Sequence, residues 1–137
     1  MRFMMIVIPK GFEKAGPEHV PDAKAVAAMM KYNETLQKAG VLLALDGLHP
    51  PSLGTRVSYS GGKPAVTDGP FAEAKEAIGG YWMIQVKSKE EAIEWALRCP
   101  MSDETIEIRQ VHEFAEFPPE VQVAGAGYTE LKKGLEK

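Results

Sequence analysis

Cysteine is almost missing from this chain: Cys99 is the one thiol among 137 residues. A lone thiol excludes an intramolecular disulfide framework and fits a reducing cytoplasm. Histidine is scarce as well. His19, His49 and His112 are dispersed without metal-ligand spacing, so neither a metal nor a cofactor is expected. Long apolar runs are absent. The opening Phe3-Met4-Met5-Ile6-Val7-Ile8 is too short to span a membrane, and no small-residue cleavage site follows it. A buried first strand is the better reading. No basic stripe exists either. The 16 basic residues are scattered against 19 acidic ones, for a net charge of −3, which argues against direct nucleic-acid binding. There is no repeat and no low-complexity tract.

What is present is an ordinary globular composition, 45% hydrophobic and 26% charged, sufficient for one core. Phe3 to Ile8 reads as a strand ended by Pro9, and Lys10 to Pro21 as a loop. Asp22 can cap a helix running to about Ala39, with Ala25, Met29, Tyr32, Leu36 and Ala39 on one stripe and Gly40 as its stop. Val41 to Leu45 is a second apolar strand. Gly47 to Gly54, with Pro50 and Pro51, is a loop. Ser60-Gly61-Gly62 marks a hairpin between Arg56–Tyr59 and Lys63–Thr67, because glycine supplies the positive φ of a tight turn. It is not a phosphate loop: the earlier glycine is missing and Pro64 follows Lys63. After a Gly79-Gly80 break come the strand Tyr81–Val86, a helix opened by the capping box Ser88-Lys89-Glu90-Glu91, and a last core strand from Thr105 to Val111. Residues 1–113 form the expected domain. Residues 114–137 read as an extended arm with a short amphipathic end.

This order predicts an α+β, ferredoxin-like fold, βαββαβ with an added hairpin and both helices on one face. Phe3 to Ile8 is apolar at every position and Tyr81 to Ile84 nearly so, whereas a half-exposed strand alternates. The uncovered face therefore needs a partner. The preferred cover is the same face of a second subunit about a two-fold axis. The C-terminal arm is the alternative, but it has few large apolar groups.

Several segments occur in an order that resembles the DGPF family, part of the wider YCII-related group. They are Met4-Met5-Ile6-Val7, Ala39-Gly40-Val41-Leu42, Gly47-Leu48-His49-Pro50-Pro51, Val66-Thr67-Asp68-Gly69-Pro70-Phe71-Ala72-Glu73, Gly79-Gly80-Tyr81-Trp82 and Ile106-Glu107-Ile108-Arg109. The resemblance implies a ferredoxin-like fold and a dimeric α/β-barrel assembly. It also implies a bacterial setting, in some members an association with an extracytoplasmic-function sigma factor. The wider group is suspected of activity through a His–Asp pair. Here no histidine lies in the first helix, and the nearest, His19, precedes it.

Asp68 is the catalytic candidate. It ends a strand, where clefts form, and could act as a base. It could equally cap its own turn, accepting amides ahead of Pro70–Glu76. Ligand-binding candidates are Asn33, His49, Phe71, Tyr81 and Arg109. Asn33 is an amide beside a buried stripe. His49 sits in a proline-rich loop and suits proton transfer, or is plain surface. Phe71 and Tyr81 belong to the segments that carry the resemblance. Arg109 shares a strand face with Glu107 and could fork onto a carboxylate or phosphate, or pair with Glu107. His19 and His112 are weaker candidates. Tyr32, Trp82, Trp95 and Cys99 read as packing.

The expected protein is a small cytoplasmic homodimer holding a small organic molecule, an anionic one among the options. Its pocket lies between the sheet, the first helix and the Asp68 turn. Whether it is an enzyme is open: cofactor-free acid–base chemistry, isomerase- or hydrolase-like, stands beside a non-catalytic binding or regulatory module. Folding should need no metal. Excess chelator is expected to leave the melting temperature unchanged, and a fall of many degrees would contradict this reading.

Overall fold

The structure is a computed structural model that describes residues 1–125. The elements are β1 (Arg2–Ile8), α1 (Ala23–Lys38), β2 (Leu42–Gly47), β3 (Thr55–Ser60), β4 (Lys63–Asp68), β5 (Gly80–Gln85), α2 (Lys89–Leu97), β6 (Thr105–Gln110) and a short α3 (Pro119–Ala124). Four strands form one sheet in the order β2-β5-β1-β6 with antiparallel pairing, and β3 and β4 form a separate hairpin. This topology is compatible with a ferredoxin-like fold carrying an inserted hairpin.

Local chemistry explains the element boundaries. The Asp22 carboxylate accepts from the Ala25 amide at 3.0 Å and starts α1; Gly40, at φ 74°, stops it. Ser88 accepts from the Glu91 amide at 3.1 Å, while Glu91 reaches back to the Lys87 amide at 2.8 Å, one residue before the expected partner. Gly61 and Gly62 both have positive φ, and Ser60 pairs with Lys63, so the hairpin closes through a two-residue turn.

Alternation along the strands separates two sheet faces. Phe3 and Met5 of β1, Trp82 and Ile84 of β5, and Ile106 and Ile108 of β6 face the helices. Tyr32 and Leu36 of α1 and Ala92 and Trp95 of α2 close over them. Two polar links lock this layer. The Tyr32 hydroxyl donates to the Trp95 carbonyl, and the Trp82 indole donates to Asn33 Oδ1 at 2.7 Å. The rings of Tyr32 and Trp82 meet edge to face, 5.4 Å between centroids. Ala25 and Ala39, both expected in the buried stripe, are exposed: the first turns of α1 border a cleft instead of the core, and Ala39 is already the C-terminal cap.

Pairing places Arg2, Met4, Ile6, Ala44, Asp46, Tyr81, Met83, Glu107 and Arg109 on the opposite face. A hollow there is lined by β1, β2 and β5 alone among the described residues. At its edge, Arg2 forks onto Glu113, with contacts of 3.1 and 3.3 Å.

Beyond β6 the chain does not run on as an extended arm. Phe114–Glu116 make a 3-10 turn in which Glu113 and Glu116 cap each other, and Gln122 donates to the Phe117 carbonyl at 2.8 Å. The amphipathic end expected near the C-terminus lies outside the described residues. No described helix is long and apolar enough to cross a membrane.

Leu36 is fully buried, whereas Val66 on the hairpin is 70% exposed. Leu36→Ala is therefore expected to cost about 3 kcal/mol in urea unfolding. Val66→Ala should stay within about 0.5 kcal/mol. Equal losses would contradict this placement of the core.

Candidate functional site

Two loops leave the same end of the sheet and enclose a cleft with the start of α1. After β1 the chain passes Pro9, turns at Gly11 (φ 77°) and makes a 3-10 turn at Phe12–Lys14. Phe12 is buried, and the His19 ring stands edge-on to it at 5.5 Å. After β2 the chain passes Leu48, whose amide bonds to the Gly79 carbonyl at 2.9 Å, then His49, Pro50 and a 3-10 turn at Pro51–Leu53. Glycine is required where these loops leave the sheet. A Cβ at Gly79 would lie 2.6 Å from Pro9 Cγ, and one at Gly80 would lie 2.7 Å from the Asp46 carbonyl oxygen.

The cleft measures about 700 Å³, a size ordinary for small-molecule sites. Val7, Phe12, Val26, Met29 and Leu48 contribute apolar wall. Lys10, Lys14, His19 and His49 also line it, against one acid among the described residues, Glu104. Burial pushes the Glu104 carboxyl up, but amides outweigh it and hold the group below its usual range. Among them, Ser102 N and Asp103 N donate at 3.0 and 3.1 Å.

Asp68 stands outside this wall, at the base of the hairpin. It is exposed, and its carboxylate accepts the Thr55 hydroxyl at 2.9 Å, across the β3–β4 pair. The expected acceptance of turn amides is replaced by this cross-strand bond. No helix follows for Asp68 to cap; residues 69–79 are irregular, and the Gly69–Pro70 bond is cis. Gly69 donates to the Gly54 carbonyl at 2.8 Å and packs so closely on Pro51 that an added Cβ would overlap the Pro51 carbonyl oxygen. Phe71 is buried behind it, under the Arg56 guanidinium at 3.9 Å, and Arg56 in turn pairs with Glu73 at 3.0 Å. The Asp68-Gly69-Pro70-Phe71 corner thus clamps the loop that carries His49.

A family model for the YCII-related domain matches residues 1–115 of this chain. The chain belongs to the YCII-related family. It is also similar to an uncharacterised protein of Rhizobium meliloti (strain 1021), 37% identical over 70 residues. That match covers 51% of this chain and 53% of the relative, so the chain spans about half the length of the protein it matches.

Within this YCII-related domain the sequence candidates separate. His49 lines the cleft. Asn33 sits between α1 and β5, with its oxygen taken by Trp82. Phe71 belongs to the clamp. Tyr81 and Arg109 lie on the uncovered sheet face. The Tyr81 hydroxyl donates to Asp46 at 2.8 Å, and that bond raises its pKa. Arg109 is exposed and stands 3.9 Å from Glu107. His112 contacts Glu116 at 3.7 Å and packs against Phe117. Burial pushes the Cys99 thiol up to about 12, so it is no nucleophile near neutral pH. No group of three or more potential metal ligands gathers among the described residues.

Sequence reasoning passed over Lys10 and Lys14, and it ranked His19 low, because all three sit in a stretch read only as loop. A usable signal existed. A twelve-residue connection between a strand and a helix is long, and such loops carry function more often than the elements they join.

The clamp makes a testable difference between neighbours. Gly69→Ala is expected to cost about 2 kcal/mol through overpacking against Pro51. Asp68→Asn should cost less than about 0.5 kcal/mol, since its amide oxygen still accepts the Thr55 hydroxyl. Chemical denaturation of both variants checks the ranking, and similar losses would remove the clamp.

Proposed function

We propose that this YCII-related protein is a cytoplasmic homodimer that binds a small organic molecule in the cleft between the β1–α1 loop, the β2–β3 loop and the start of α1. The observation that carries this reading is the cleft itself. Apolar walls and a few convergent polar groups are gathered at one end of a sheet whose helices cover a single face. If turnover accompanies binding, it is cofactor-free proton transfer, of the isomerase or hydrolase kind. His49 and His19 are then the acid–base groups, because a neutral imidazole both accepts and donates protons. Asp68 acts on that site through the loop it helps hold.

The dimer is proposed to pack as an α/β barrel through the uncovered sheet face. Met4, Met83, Leu43 and Ala44 supply apolar surface there, rimmed by Arg2 and Tyr81. That mixture of apolar centre and polar rim suits a protein interface. The rival reading is a non-catalytic regulatory module, for example one acting beside an extracytoplasmic-function sigma factor. One observation favours it. Val57, Tyr59 and Val66 are 52%, 72% and 70% exposed on the hairpin, and Val57 pairs with Val66 on one of its faces.

A thermal-shift screen of small organic compounds tests the cleft. Hits should stabilise the parent protein and lose their effect on Ala25→Trp, which places a large ring in the cleft mouth. Hits that stabilise both equally would move the binding site elsewhere. For the assembly, light scattering at micromolar concentration should give twice the 15.0 kDa chain mass. Met83→Arg should halve it, by placing a charge in the packed face. A parent protein already at monomer mass would end the dimer proposal.

A further inference from the structure

We infer that the cleft takes an amphipathic organic anion, a single carboxylate-type group carried on an apolar body. This rests on the reading of the cleft as a ligand site and adds the class of ligand. The whole chain carries a net charge of −3, yet the cleft concentrates the opposite sign. Lys10 and Lys14 are cationic, and the one lining acid among the described residues, Glu104, already has amides donating to its carboxylate. A local field that opposes the bulk charge attracts and orients an anion.

The rest of the lining limits the kind of anion. Val7, Phe12, Pro21, Val26, Met29 and Leu48 present hydrocarbon, which a compact inorganic ion would leave unused. Met29 and Met101 can repack around bodies of differing shape. A polyphosphate fits poorly. Among the described residues no arginine lines the cleft to grip it with two parallel bonds, and lysines act only as point charges on flexible stems. The positive end of α1 borders the cleft, but Asp22 already caps it with a carboxylate, which repels a multiply charged group. One negative charge near the two lysines, with the body against the apolar wall, matches both the cationic and the hydrocarbon parts of the lining.

A matched pair of fluorescent probes tests this. 1-Anilinonaphthalene-8-sulfonate and N-phenyl-1-naphthylamine share one apolar body, and only the first is charged. The anion is expected to bind about tenfold more tightly than the neutral probe at low salt, with the preference shrinking as salt rises. The double variant Lys10→Gln/Lys14→Gln should abolish the preference while leaving the neutral probe's affinity in place. Ala25→Trp should weaken both probes. Leu48→Trp, on the opposite wall, replaces it should that variant fail to fold. Equal affinity for the two probes, or a preference that survives the lysine changes, overturns the assignment of an anion. The cleft itself then still stands, provided the tryptophan variants block both probes. Binding of both probes that ignores the tryptophan variants overturns the cleft and the anion together.

Discussion

Two helices can cover only one face of a four-stranded sheet. Everything else in this molecule follows from how that limit is handled. On the covered face, Phe3, Met5, Leu36, Trp82, Ile84 and Trp95 make a continuous core, and the polar ends of Tyr32 and Trp82 find partners inside it. A buried donor left unpaired there would cost as much as several packed methyl groups. Asn33 is therefore tied to folding through Trp82, although an amide beside a buried stripe reads in the sequence as a possible ligand contact. On the other face the strands carry Met4 and Met83 beside Arg2, Tyr81, Glu107 and Arg109. That mixture is too apolar for a face meant for water and too charged for a core.

The element order and the core were legible in the sequence because they depend on local chemistry. Caps at Asp22 and Ser88, the stop at Gly40 and the Gly61-Gly62 turn are each decided within a few residues. The stripe on α1 was read too far at both ends, to Ala25, which borders the cleft, and to Ala39, the exposed cap. Residues 114–124 differ from the expected extended arm for another reason. Pro118 and Pro119 suggested extension, but the mutual capping of Glu113 and Glu116 and the bond from Gln122 fold the chain back into a turn and a short helix.

The cleft was legible only in part. His49, which lines it, was named in the sequence because an imidazole in a proline-rich loop suits proton transfer. Lys10 and Lys14 were not, since a lysine in a loop looks like any other, and only the meeting of two loops distant in sequence gives these two a common cavity. Asp68 drew attention as a carboxylate at a strand end inside the Asp-Gly-Pro-Phe run. What makes that run distinctive is steric: the missing side chain of Gly69 lets two backbones touch, and the ring of Phe71 fills the space behind them.

The clamp at Gly69 also separates two kinds of freedom. The backbone of the His49 loop is held from behind, by contacts that do not reach the cleft. The side chains facing the cleft from the β1–α1 loop, Lys10, Lys14 and His19, hang from a different segment and are exposed. Those side chains can therefore change without disturbing the frame that shapes the opening. Two chains that share the Asp-Gly-Pro-Phe corner could keep the same loop frame and still differ in the charge that lines the cleft.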